Sequence, residues 1–390
     1  MQATRTKATK HVLRVALWTT PQLDRGVDEY AREAGWTLEF SRLAMTAPEQ
    51  VISYLNELKP DGVLVSGLPT PIRTAVCKAA SVPVVEAAGT TGNTVTSSTV
   101  LDDVAIGRLA GAHFVERGFR HFAFGTLLPH PVSSLRQRGF QEATEAVAST
   151  FFSLGVRLDS SGESHEYLKR FRREIVHLPK PLGLMTMNDY LARRLAKACE
   201  QEGVLVPEQV AIIGVDNDPQ SDLADVPLTS VDPDFYQCGF EGARLLDSLM
   251  NGEPEPGHDI VILPKGLVKR ESTRIRAVAH VGVARALHFI LSEYADPSSE
   301  LQLNHIASVA GLSTRQLQSV FAEAMGSPVA EYVRGLRLDR AKRLLVETDQ
   351  PIGDVAGASG YRGTAQLSTH LRAETGLGPR AWRKKHKKKR

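Results

Sequence analysis

Between residues 12 and 270 the chain alternates short unbroken apolar runs with longer stretches whose apolar residues recur at helical spacing. The runs include 12–18, 62–65, 82–85, 122–124, 183–185 and 210–215. A strand buried on both faces reads as continuous Val, Ile and Leu, and parallel neighbours need helical crossovers, so the alternation predicts β-α-β units. Two parallel sheets fit a stretch of this length better than one. Ligands of open parallel sheets sit beyond the carboxyl ends of the strands, which directs attention to the polar residues that close each run. Near 268–278 (VKRESTRIRAV) the pattern lapses into charged sequence, and 271–281 is read as a linker. From 282 to 390 the spacing is helical throughout, broken at Gly311, at Gly326, Ser327 and Pro328, at Gly360, and from Gly376 to Pro379.

This helical stretch repeats one design. Residues 303–325 read LNHIASVAGLSTRQLQSVFAEAM. Ile306, Val309 and Ala310 form an apolar face, Gly311 and Leu312 permit a tight turn, and Ser313 can cap a helix with Leu317, Val320 and Phe321 inside. Residues 352–375, IGDVAGASGYRGTAQLSTHLRAET, do it again with Ile352, Val355 and Ala356, a turn at 359–361, and Leu367 and Leu371 inside. Between them 328–346 (PVAEYVRGLRLDRAKRLLV) predicts a helix long enough to hold two small bundles at a fixed spacing, with Pro328 at its start. One helix-turn-helix pattern is common in helical hairpins; two in tandem are specific.

Charge follows the same division. Residues 280–390 hold 17 Lys and Arg against 10 Asp and Glu, whereas 1–279 hold 30 against 34. A basic block behind a mildly acidic one is the footprint expected for phosphate binding, because neutralised phosphates release counterions. The run Lys384, Lys385, Lys387, Lys388, Lys389 and Arg390 suits either phosphate contact or a solvated tail. With 42% hydrophobic and 23% charged residues and no long uninterrupted apolar run, no membrane span is expected. The start is basic and polar, without the features of a signal peptide, so a cytoplasmic location is expected. Cys77, Cys199 and Cys238 are far apart and predict core thiols rather than disulfides or a metal site. Phosphate loops, metal-spaced histidines and nucleophile elbows are missing, so neither an enzyme nor a cofactor is expected.

The helical stretch resembles the AraC-type transcription regulators from Gly282 to Lys385. The resemblance implies two recognition helices reading successive major-groove turns of double-stranded DNA. The outward positions are then Thr314, Arg315, Gln316, Gln318 and Ser319 in the first unit, and Arg362, Thr364, Gln366, Thr369 and His370 in the second. Arg forks onto guanine and Gln onto adenine, which singles out Arg315, Gln318 and Gln366 for base contacts. Leu371 stands where the family usually shows Phe, a change between core residues.

The front resembles the sugar-binding domain of the LacI/GalR repressors and related periplasmic sugar receptors. The matching segments are DRGVDEYAREAGWTLEF (24–40), VLDDVAIGRLAGAHFVERGFRHFAF (100–124), SSLRQRGFQEA (133–143), TMNDYLARRLAKACEQEGVLVPEQVAIIGVDND (186–218) and PLTSVDPDFYQCGFEGARLL (227–246). Joined to an AraC-type tail, the combination is similar to the xylose-operon regulator group. It implies a two-lobed periplasmic-binding-protein-like sensor over 12–270, with two parallel sheets, ahead of an all-α tandem helix-turn-helix domain over 282–390. It also implies a homodimer, a small sugar or polyol effector such as xylose, and, for an activator, RNA polymerase as partner.

Asn188 and Asp189 follow one apolar run and Asp216 and Asn217 another, so all four are expected at one cleft, where a sugar's hydroxyls need paired hydrogen bonds. Carrying the family positions over makes Arg136, Asn188 and Asp216 ligand contacts, with Asp189 and Asn217 beside them. Trp18 and Thr19 end the first run, and Trp18 can stack on a sugar ring. The chain departs from its sugar-binding relatives in having Ala near residue 88, where they often carry an acid, and Asp232-Pro233, where they often carry an amide. An exported sugar receptor for transport shares the front fold but has no use for the basic helical tail.

Overall fold

The structure, a computed structural model, describes residues 9–41, 48–90, 96–126, 130–155, 165–299 and 301–386. Lys387, Lys388, Lys389 and Arg390 of the basic run lie outside the described residues. Among the described residues, twelve strands form two six-stranded sheets. The strands in chain order are β1 (His11–Ala16), β2 (Thr37–Ser41), β3 (Gly62–Ser66), β4 (Val84–Gly89), β5 (Ser97–Leu101), β6 (His121–Thr126), β7 (Thr150–Gly155), β8 (Leu182–Thr186), β9 (Val210–Val215), β10 (Thr229–Asp232), β11 (Ile260–Ile262) and β12 (Gly266–Val268). The first sheet runs β11-β5-β4-β3-β1-β2 and the second β12-β10-β9-β8-β6-β7. The chain crosses between lobes more than once, since β11 joins the first sheet after five strands of the second. β1 pairs in parallel with β2 and β3, β3 with β4, β4 with β5, β5 with β11, β6 with β7 and β9 with β10, whereas β10 and β12 are antiparallel.

Among the described residues, eight α-helices accompany the sheets: α1 (Pro21–Ala34), α2 (Pro48–Leu58), α3 (Thr70–Ala79), α4 (Asp103–Glu116), α5 (Pro131–Thr144), α6 (His165–Ile175), α7 (Asp189–Gln201) and α8 (Phe235–Met250). Local chemistry sets their ends. Thr20 caps α1 by accepting from the Leu23 amide, and Gly35 ends it at φ +70°. In each lobe one helix pair packs through facing glycines. A Cβ on Gly107 would lie 2.1 Å from the Arg136 carbonyl oxygen and one on Gly139 2.0 Å from that of Val104, so α4 and α5 touch backbone to backbone. Gly26 and Gly239 do the same for α1 and α8, at 2.1 Å from Tyr236 and 2.3 Å from Leu23. Gly139→Ala should push α4 and α5 apart and cost roughly 1–3 kcal/mol, read as a lower midpoint in urea unfolding.

The helical part comprises α9 (Val281–Glu293), α10 (Leu303–Ala310), α11 (Thr314–Met325), α12 (Val329–Glu347), α13 (Ile352–Ala358), α14 (Thr364–Thr375) and α15 (Pro379–His386). It holds two separate cores. Ile306, Ala310, Leu317 and Phe321 pack with Val283, Leu287 and Ile290 of α9, while Val355, Ala356, Leu367 and Leu371 form the other. The single helix α12 serves both, giving Val329 and Val333 to the first and Leu338, Ala341 and Leu345 to the second. At ~1.5 Å per residue its 19 residues span roughly 28 Å, which fixes the spacing of the two units. Val309 departs from the sequence reading: it is 38% exposed, because only the Ile306 and Ala310 side of this eight-residue helix faces the core. Cys199 and Cys238 are free and buried; Cys77 is half-buried.

Candidate functional site

The carboxyl ends of the strands in the two lobes face one cleft of about 490 Å³. One wall carries Trp18, which follows β1, together with Thr70, Arg73 and Glu86; the other carries Asp103, Arg136, Asn188 and Asp216. Leu68, Leu101, Met187 and Phe235 supply apolar surface, with Trp18 and Phe235 edge to face at 5.5 Å. The close approach of α4 and α5 has a consequence here. It sets Arg136 beside Asp103 with Nε donating to Oδ1 at 2.8 Å, both side chains 6% exposed. Arg136 Nη1 also donates to the Met187 carbonyl and lies 3.9 Å from Asp216 Oδ1. Asn188 Oδ1 accepts from the Leu191 amide and so caps α7, leaving its Nδ2 as the donor for the cleft.

Asp216 stands at φ +107°, a region costly for a non-glycine residue, and its amide donates to the Val231 carbonyl at 3.1 Å. Its carboxyl is pushed up to about 7, first by burial and against the pull of Arg136, with Asp189, Asp218 and Asp103 adding to the rise. The folded carboxyl therefore keeps its proton from about pH 4 to about 7, where an unfolded chain has released it. Folded protein then binds more protons than unfolded, and this group's contribution to stability is lost as pH rises through that window. The unliganded Asp216→Asn variant should accordingly gain on wild type by a few kcal/mol as pH is raised from about 4 to about 8, measured by paired denaturant titrations.

Three residues expected at the cleft are not among those lining it. Thr19 Oγ1 donates to Asp24, on α1. Asp189 is fully buried behind the wall, where its carboxylate accepts from the Asp218 amide at 2.8 Å and burial raises it to about 6. Asn217 is held between its neighbours: Oδ1 accepts from Arg270 Nη2 at 2.8 Å and Nδ2 donates to Asp232 at 3.1 Å. Arg270 in turn donates to the Leu228 carbonyl and, through its amide, to Thr229 Oγ1, which meets Thr273 Oγ1 at 2.8 Å. Asp103, Arg73 and Glu86, which line the cleft, were not visible as strand-end residues. Among the described residues no group of His, Cys, Asp and Glu is arranged to hold a metal, and no helix is long and apolar enough to cross a membrane.

In the helical part, Ser313 and Gln316 form a reciprocal capping box at the start of α11, and Gly311 turns at φ +69°. Thr314, Arg315, Gln316, Gln318 and Ser319 are exposed, as are Arg362, Thr364, Gln366 and Thr369; His370 is half-buried against Tyr361 at 5.6 Å. Two of these are already engaged, since Gln316 Oε1 accepts from Ser313 and Thr369 Oγ1 donates to the Ala365 carbonyl. A groove of about 590 Å³ runs between the two units, with Gln318, Gln366 and His370 along it and Arg334, Arg337 and Arg362 supplying positive charge. Arg337 is anchored there by donating Nε to the Tyr294 carbonyl at 2.8 Å.

Residues 112–273 match a periplasmic binding protein-like domain family and 306–385 a helix-turn-helix domain family. The chain thus joins a periplasmic binding protein-like domain to an AraC-type helix-turn-helix domain. This regulator is 27% identical to the xylose operon regulatory protein of Escherichia coli (strain K12) over 270 residues, 67% of each chain. Over 88 residues, 23% of the regulator and 26% of the relative, it is 32% identical to the transcriptional activator NphR of Rhodococcus sp. Its fold is that of a xylose-binding transcription activator, xylR, with a TM-score of 0.77 at 22% identity over 97% of the regulator and 100% of that chain. These relatives are transcription regulators rather than enzymes, and a transport receptor would carry no helix-turn-helix domain. The regulator's architecture is thus a two-sheet sensor followed by tandem DNA-reading units.

Proposed function

We propose that the cleft binds a small neutral sugar, with xylose the first candidate, and that occupancy controls how the tandem units engage an operator. The regulator is a sugar-responsive DNA-binding protein, and what carries this reading is the convergence of Arg136, Asn188 and Asp216 with the Trp18–Phe235 pair in one cleft. Buried charged groups beside aromatic surface suit a molecule whose rim is hydroxyl and whose face is C–H. Effector binding can act only through different affinities for two arrangements of the sensor, here an open and a closed cleft. We infer that the protein works in the cytoplasm as a homodimer on paired half-sites and raises transcription through contact with RNA polymerase; Leu223, 85% exposed, is the kind of surface residue a partner copy would cover.

Isothermal titration of the full chain with D-xylose, followed by operator gel shifts with and without it, tests the reading. A saturable sugar response that changes operator affinity is expected, and operator affinity indifferent to a panel of pentoses and polyols would overturn it.

Direct base readout falls to Arg315, Gln318 and Gln366; Thr314, Ser319, Arg362, Thr364 and His370 sit around them, and Gln316 and Thr369 are held by their own helices. Arg315→Ala should cost about 1–3 kcal/mol on the cognate site and relax preference at one base pair, measured by competition binding. An equal loss on random duplex would reassign Arg315 to phosphate.

A further inference from the structure

We propose that the buried pair Arg73–Glu86 is a second recognition element of the cleft, one that binds neutral polyols and rejects sugar acids; this rests on the cleft being the effector site. Arg73 comes from α3 and Glu86 from the middle of β4, and they are 8% and 2% exposed. Arg73 Nη1 donates to both carboxylate oxygens, at 2.8 and 3.1 Å, and Nη2 reaches Thr70 Oγ1 at 3.5 Å. The remaining donor, Nε, is buried and has no hydrogen-bond partner among the described residues. The backbone is shaped around the carboxylate: Ala88 stands at φ +59° at a register shift, and a Cβ on Gly89 would lie 2.8 Å from Glu86 Oε2.

Burying an ion pair costs desolvation that apolar packing would avoid, so a pair kept in a ligand-facing wall calls for a use. Its chemistry supplies one. An unpartnered N–H beside a carboxylate matches a hydroxyl, which accepts from the first and donates to the second. Charge gives the selectivity. Each arginine facing the cleft already has a carboxylate of its own, Arg73 with Glu86 and Arg136 with Asp103, and Asp216 is left over. An aldonate or uronate would bring its negative charge beside the Glu86 and Asp103 carboxylates and the partly ionised Asp216 carboxyl, and find both cations matched. A neutral sugar meets donors and acceptors on both walls, which replaces at a different place the acid that the residue-88 position lacks.

The test uses the full chain and three probes: D-xylose, xylitol and D-xylonate. Wild type should be stabilised against heat by a neutral probe and not by xylonate. Glu86→Gln unmasks Arg73 and should move the neutral-to-acid preference at least roughly tenfold toward xylonate, the scale of one charge-assisted hydrogen bond. Because Glu86→Gln leaves a buried guanidinium short of its partner, Arg73→Met with Glu86→Met serves as the second variant. It should fold and lose at least about tenfold in neutral-sugar affinity. Wild-type binding of xylonate as tight as that of the neutral probes, an unchanged preference in Glu86→Gln, or an unchanged affinity in the double variant would each overturn the proposal while leaving the effector site standing. A wild type that binds no neutral sugar at all would remove the site as well.

Discussion

Asp216→Ala is expected to yield a folded protein that holds its operator and no longer hears its effector. The carboxylate offers acceptors that no other residue of its wall duplicates, since Asp103 is committed to Arg136 and Asp189 lies behind the wall. Leaving the effector's buried hydroxyls without this partner costs about 1–3 kcal/mol, so effector affinity should drop roughly five- to a hundredfold. Stability should move the other way. An acid pushed up to about 7 by burial is one the folded chain tolerates at a cost near neutral pH, and alanine removes it. Calorimetric titration paired with thermal unfolding separates these effects. A variant that is less stable without sugar, yet responds to sugar as wild type does, would exclude Asp216 from the site.

The second large effect is expected at Phe321→Ala. Phe321 is fully buried in the first helical core, edge to face with Tyr332 at 5.5 Å. Truncating such a side chain costs about 3–5 kcal/mol, a large share of what so small a core can supply. The first unit should open while the second, whose core is built around Leu367 and Leu371, remains. Specific operator binding then falls at least a hundredfold, sugar affinity stays, and amide exchange quickens in α9, α10, α11 and the start of α12, but not in α13 and α14. Uniform exchange across α13 and α14 as well would show that the two units unfold as one.

The fold was legible because its signals are local and repeated. Continuous apolar runs marked β1, β3, β4, β6, β8 and β9, all of them flanked within their sheets, whereas short edge strands such as β11 and β12 carry too few residues to show a pattern. The helix-turn-helix units were legible from capping chemistry, Ser313 above all.

Cleft residues were read to within one position. Trp18, Asn188 and Asp216 line the cleft, and their neighbours Thr19, Asp189 and Asn217 do not, because consecutive residues leaving a strand point opposite ways. Arg73 and Asp103 reach the cleft from helices, and only the tertiary arrangement brings them there. Glu86 did carry a signal: a lone acid amid Val84, Val85, Ala87 and Ala88 is a buried charge in an apolar strand, which calls for a partner and a purpose.

Arg270 gives the sensor's outgoing segment little slack. The same guanidinium grips the residue after Asp216 and the strand beside it, and its backbone is tied through Thr229 to Thr273. Four residues of chain therefore leave the sensor already stitched to the turn that would feel a sugar arrive. News of an occupied cleft can reach residue 274 as a shift of a firm strut, without having to survive passage along a limp tether.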